Sequence, residues 1–156
     1  MRTWCISYNL NQIYEYVLVN VIPPLPGRIR NMGVFVEDLE NEEKFLKINW
    51  WNWRPAIEII RTSGLIDNDR LALMGFSGGG PKITEEESRK LAVYFENKVL
   101  SQLKPGERVL HDFSITDKPD DGTFYRDEQM LNYSATYEWL SEFTDFLKEC
   151  KGFTVI

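Results

Sequence analysis

Three short stretches of the chain hold residue types whose spacing can do chemistry. Gly75-Phe76-Ser77-Gly78-Gly79 offers a serine hydroxyl on a turn of small residues. Such a hydroxyl is a weak nucleophile until a neighbouring base takes its proton. The one histidine of the chain, His111, is the natural base. Asp117 to Glu128 reads DKPDDGTFYRDE and carries Asp117, Asp121 and Glu128 at its first, fifth and twelfth places. Clustered carboxylate oxygens are what a calcium ion binds. Asn49-Trp50-Trp51-Asn52-Trp53-Arg54-Pro55 sets three indoles and a guanidinium side by side. Trp and Arg are enriched among residues that anchor protein partners.

The first stretch fits G-x-S-x-G and locally resembles the nucleophile elbow of the α/β-hydrolase family. That resemblance implies a nucleophilic Ser77 fed by a strand at Leu71 to Met74. The flanking sequence departs from the family's pattern. Gly80-Pro81 intervenes, and a helix start at Thr84 displaces the helix that should follow the serine at once. His111 comes 34 positions after Ser77, which leaves little room for the later strands and the acid that precede the family's histidine. The stretch is therefore read as a Gly-rich turn before a capped helix, with a serine hydrolase using Ser77 and His111 as the alternative.

The second stretch resembles an EF-hand loop at Asp117, Asp121, Gly122, Phe124 and Glu128. Pro119 stands where a ligand belongs, Arg126 puts a cation at the ninth place, and the incoming segment reads as strand. An acidic, solvated loop is expected; a calcium-binding module through Asp117, Asp121 and Glu128 is a second alternative. In the third stretch, an extended chain would set Trp50 on the face of Leu46 and Ile48, and Trp51 and Trp53 on the other with Phe45. That buries Trp50 and leaves Trp51, Trp53 and Arg54 as the candidate contact surface. Core packing, with Arg54 stacked on an indole, is the competing reading. The stretch also resembles one in small bacterial proteins of unknown function, which implies no activity.

The elements that must position these residues are legible in part. Ile13 to Ile22 and Gly33 to Asp38 read as strands. Phe45 to Arg54 reads as extended, because Pro55 biases Arg54 away from helix. Helices are expected at 55–63, between Pro55 and Gly64, and at 84–103, where Thr84 and Glu87 form a capping box. A third is expected at 134–151, started by Ser134, with Trp139, Leu140, Phe143, Phe146, Leu147 and Cys150 as its apolar stripe. Arg70 to Met74 and Val109 to Ile115 read as short strands, and Phe153 to Ile156 can add a terminal one. The fold class is α+β: three amphipathic helices packed on a few short strands.

The chain has 156 residues and a net charge of -6. Residues 1–31 carry +2 and residues 32–156 carry -8. The Pro-rich break at 23–26 falls near that shift, so 1–31 reads as an N-terminal appendage or strand and 32–156 as a single acidic globular domain. An acidic surface repels phosphate backbones, so nucleic acid is not an expected partner. No segment reaches the length of a membrane span, and no export signal is apparent, which points to the cytoplasm. Cys5 and Cys150 are too distant to form a metal knuckle, and no cofactor is expected. The expected function is a non-catalytic intracellular protein-binding domain, of immunity or adaptor kind, with a basic protein as partner. A chain beginning at Met32 is expected to stay soluble and to unfold cooperatively in urea; a molten or insoluble product would show that residues 1–31 complete the core.

Overall fold

The computed structural model describes residues 34–75, 79–120 and 125–156. The expected strand at 13–22, the appendage at 1–31, and residues Cys5, Ser77 and Asp121 lie outside them. Strand β1 (Val34–Asp38) pairs antiparallel with β2 (Phe45–Ile48), in register Val34 to Ile48 and Val36 to Leu46. Its other edge meets β7 (Gly152–Val155), and β7 in turn meets β3 (Ile83–Thr84), both antiparallel. The sheet order is therefore β2-β1-β7-β3, and the strand expected to close the chain is an inner one. Alternation puts Val34, Val36, Leu46, Ile48, Ile83, Phe153 and Val155 on one face, and all of them are buried. Gly152 is required where β7 begins: its φ is 96°, and a Cβ there would sit 2.5 Å from the Ile83 carbonyl oxygen.

Helix α1 (Trp50–Ser63) corrects two sequence expectations. Pro55 lies inside it, and the three tryptophans are helical rather than extended. Asn49 explains the early start: its Oδ1 accepts the Asn52 N–H at 2.9 Å, a cap that commits the chain before Pro55 is reached. Pro55 lacks the N–H that would reach back to Trp51, a loss confined to the helix's first turns. Gly64, at φ 66°, ends the helix as expected.

Helix α2 (Asn68–Met74) stands where a strand was expected. Asp67 caps it through the Arg70 N–H at 2.9 Å, and its one-sided burial of Leu71 and Met74 is helical. Helix α3 (Glu85–Tyr94) has the full capping box between Thr84 and Glu87. It continues through a π-helical turn (Phe95–Val99) and a 3₁₀ turn (Leu100–Gln102). Helix α4 (Tyr137–Glu149) is capped by Thr136. Ser134, expected in that role, instead lies buried in a second sheet, where its hydroxyl accepts from Arg108 at 3.1 Å.

That second sheet has the order β5-β4-β6, with β4 (Arg108–Leu110), β5 (Ile115–Thr116) and β6 (Ser134–Thr136) all antiparallel. The expected single strand 109–115 is thus a hairpin. The described residues form an α+β fold with four α-helices, one more than expected because α2 was read as strand. No helix among them is long and apolar enough to cross a membrane.

The core is aromatic at its centre. Phe143 of α4 stacks on Trp139 and meets Trp53, Phe95 and Phe153 edge-on, with centroids 5.4 to 6.4 Å away. Trp53 is fully buried, and its indole N–H donates to the Met74 carbonyl at 2.9 Å, tying α1 to α2. Phe143→Ala and Trp53→Ala should each cost about 3–5 kcal/mol, read as a shifted urea midpoint. Trp51→Ala, outside this centre, should cost clearly less.

Candidate functional site

The aromatic stretch divides by helical geometry. Trp50, Trp53 and Ile57 fall on the inward side of α1, while Trp51 and Arg54 are neighbours at i and i+3 on its flank. The expected exposure of Trp53 is therefore corrected: it lies in the core, because successive helical residues turn through about 100° rather than alternate. Trp51 is half-buried between Tyr133 and Tyr125, with centroids at 4.9 and 5.7 Å. The Arg54 guanidinium lies 4.9 Å from the Tyr133 ring and 5.9 Å from the Trp50 ring. A cation over aromatic faces is held by their quadrupoles. Much of this stretch therefore joins α1 to the segment before β6.

Of the serine-centred alternative, His111 alone is described. Its backbone N–H donates to the Tyr133 carbonyl at 2.9 Å, and it stands in the β4–β5 turn rather than within a strand. The segment ahead of Ser77 is helix α2, where the elbow resemblance calls for a strand.

Of the calcium alternative, Asp117 and Glu128 are described and both are exposed. Strand β5 leads into the loop, and the turn after Glu128 is 3₁₀ (Gln129–Asn132), so no pair of flanking α-helices frames it. Arg126 is engaged with Asp112 at 2.7 Å and with the Leu131 carbonyl. Its backbone is clamped by the Asn132 amide, which accepts its N–H at 2.8 Å and donates to its carbonyl at 2.9 Å. Among the described residues no group of three His, Cys, Asp or Glu is placed to hold a metal ion.

A groove lies on a different part of the surface. It measures about 170 Å³, has a mixed polar and apolar lining, and runs between the end of α1, the π turn of α3 and the β4–β5 hairpin. Its floor includes Ile59, Val99, Leu103 and Val109. On one side the Thr62 hydroxyl donates to the Ile59 carbonyl at 2.8 Å, which leaves Tyr94 to donate to Thr62 across 3.1 Å. Lys98 stands on the same side, and the π turn sets its direction.

Phe113 and Ile115 form the opposite rim, 47% and 43% exposed. Phe113 sits at φ 65°, a left-handed conformation that a three-residue hairpin loop normally gives to glycine. Such a conformation in a bulky residue costs about 1–3 kcal/mol. The turn is held around it. Leu110 and Ser114 close it at 2.9 Å, Asp112 accepts from the Ser114 N–H at 3.1 Å and hydroxyl at 2.6 Å, and Arg126 braces Asp112 from outside. Sequence reading missed this site. The turn carries Phe where Gly would have marked a hairpin, and a π turn leaves no periodic signature.

Comparison with family models, with curated proteins and with solved structures gives no match for this chain.

Two carboxylates near these elements have shifted acidities. The bidentate Arg70 guanidinium, with help from Thr84, holds Glu87 down at about 2. The Ser114 hydroxyl and then Arg126 hold Asp112 at about 2. Both folded-state values lie below the ordinary ones, so their stabilisation is complete above about pH 4.5 and is lost as pH falls towards 2. Urea midpoints of the wild type should fall across that window, and Glu87→Gln should flatten the slope. An unchanged slope would show that the Arg70 pair contributes nothing.

Proposed function

We propose that residues 32–156 are a non-catalytic protein-binding domain, working inside the cell in the manner of an immunity or adaptor protein, and that its contact surface is the groove rimmed by Phe113 and Ile115. The observation that carries this reading is Phe113. A large apolar side chain is held half-exposed at a positive φ, and three separate hydrogen bonds and an ion pair keep the turn in place. A sequence selected for stability alone would put glycine there, so the strain points to a use for the ring. Trp51 and Arg54 support the reading only at its margin, since their aromatic and cationic surfaces already face Tyr133.

The test separates stability from function. Phe113→Gly should raise stability by about 1 kcal/mol by relieving the left-handed strain. The same variant should lose binding to peptides enriched on the wild-type chain from a random-peptide display library. A selection that enriches nothing, or clones that bind Phe113→Gly as well as wild type, would overturn the assignment of the groove. Stoichiometric labelling of Ser77 by a fluorophosphonate would overturn its non-catalytic character.

A further inference from the structure

Resting on that reading, we infer that the groove's partner is an extended, basic segment that adds as a strand to the free edge of β5. The backbone supplies the first reason. Strand β5 is the outer member of its sheet, with no second neighbour among the described residues. Leu110 and Ser114 are joined by a ladder hydrogen bond, and Arg108 and Thr116 are the next pair but one in register. Antiparallel pairs alternate between bonded and non-bonded. Val109 and Ile115 therefore form the non-bonded pair, and the Ile115 N–H and C=O point away from β4. An unpaired donor and acceptor on an exposed strand edge are what a peptide strand pairs with.

The side chains supply the second reason. Ile115 lines the groove, so a strand laid beside it sends alternate side chains to the same face, where the groove has room for an apolar one. Charge selects the occupant. Residues 111–128 hold six acidic side chains against Lys118 and Arg126. Asp112 is paired with Arg126 and Asp120 with Arg108, whereas Asp117, Asp127 and Glu128 have no ion-pair partner among the described residues. Asp117 directly follows β5. A second copy of this chain would bring Asp117 against Asp117 and set the net charge of -8 on residues 32–156 against itself, which disfavours that pairing. A basic segment meets the opposite field. Lys98 on the far wall keeps the segment's cations on the β5 side and leaves the groove to its apolar residue.

The experiment uses the full chain and the clones of the display selection. The expected clones alternate apolar residues with Lys or Arg. They should weaken at least about tenfold when an edge-facing amide of the peptide is N-methylated. Ile115→Pro removes the outward N–H together with the isoleucine side chain, so Ile115→Ala, which keeps the N–H, is its control: the proline variant should lose at least about tenfold in affinity relative to the alanine one. Asp117→Lys, which touches no backbone pairing, should weaken the same clones and steepen none of the unfolding curves. Clones that are acidic, that bind Ile115→Pro as well as Ile115→Ala, or that tolerate N-methylation would overturn the inference while leaving the groove as a binding site. A dimer in sedimentation that Ile115→Pro dissociates would overturn it in favour of a second copy. An empty selection fails the functional reading itself.

Discussion

The ring of Phe143 is the point on which the fold turns. It is fully buried, and the aromatic side chains touching it come from α1, α3, its own helix α4 and β7. Edge-on and stacked contacts add direction to what burial alone would leave loose. Trp53 extends the same cluster to α2 through its hydrogen bond to Met74. With those elements fixed, the end of α1 and the π turn of α3 are fixed too, and the groove between them and the hairpin follows. The site is thus shaped by packing that it does not itself contain.

The hairpin that completes the groove is held differently. Its sheet has short strands, and its geometry rests on polar contacts, exposed ones between Asp112, Ser114 and Arg126 and inner ones from Arg108 to Ser134 and the Pro119 carbonyl. Arg108 is itself buried. A buried guanidinium needs its hydrogen bonds satisfied, and those bonds carry the loop that follows β5 along with it. The result is a rigid wall on the helical side and an electrostatically braced wall on the other.

Some of this was legible in the residues, and the misses have physical causes. Thr84 and Glu87 are a local device, complete within four residues, and they marked the start of α3 correctly. Gly64 marked the end of α1 for the same reason. Asn49 is an equally local cap at its start, but it was passed over in favour of Pro55, because the Trp run and Pro55 suggested an extended chain. The spacing of Trp50, Trp53, Ile57 and Ile60 was the helical signal beneath them. Leu71 to Met74 looked like strand because so short an apolar run fits either period, and only the Asp67 cap decides it. Phe113 was the hardest, since its turn breaks the usual link between a positive φ and glycine. The groove was invisible because it is made by three elements distant in sequence.

The inner position of β7 has a consequence for how the chain reaches this state. Strand β1 can find β2 at once across a short turn, but its other neighbour is separated from it by all the helices described. Until β7 arrives, β1 and β3 each present a bare edge and an uncovered apolar face. Closing so long a loop is entropically costly and comes late, so assembly should be slow compared with that of a helical bundle of similar size. During that interval the nascent sheet is open to pairing with other chains. The net charge of -8 on residues 32–156 would set half-folded copies repelling one another during that interval.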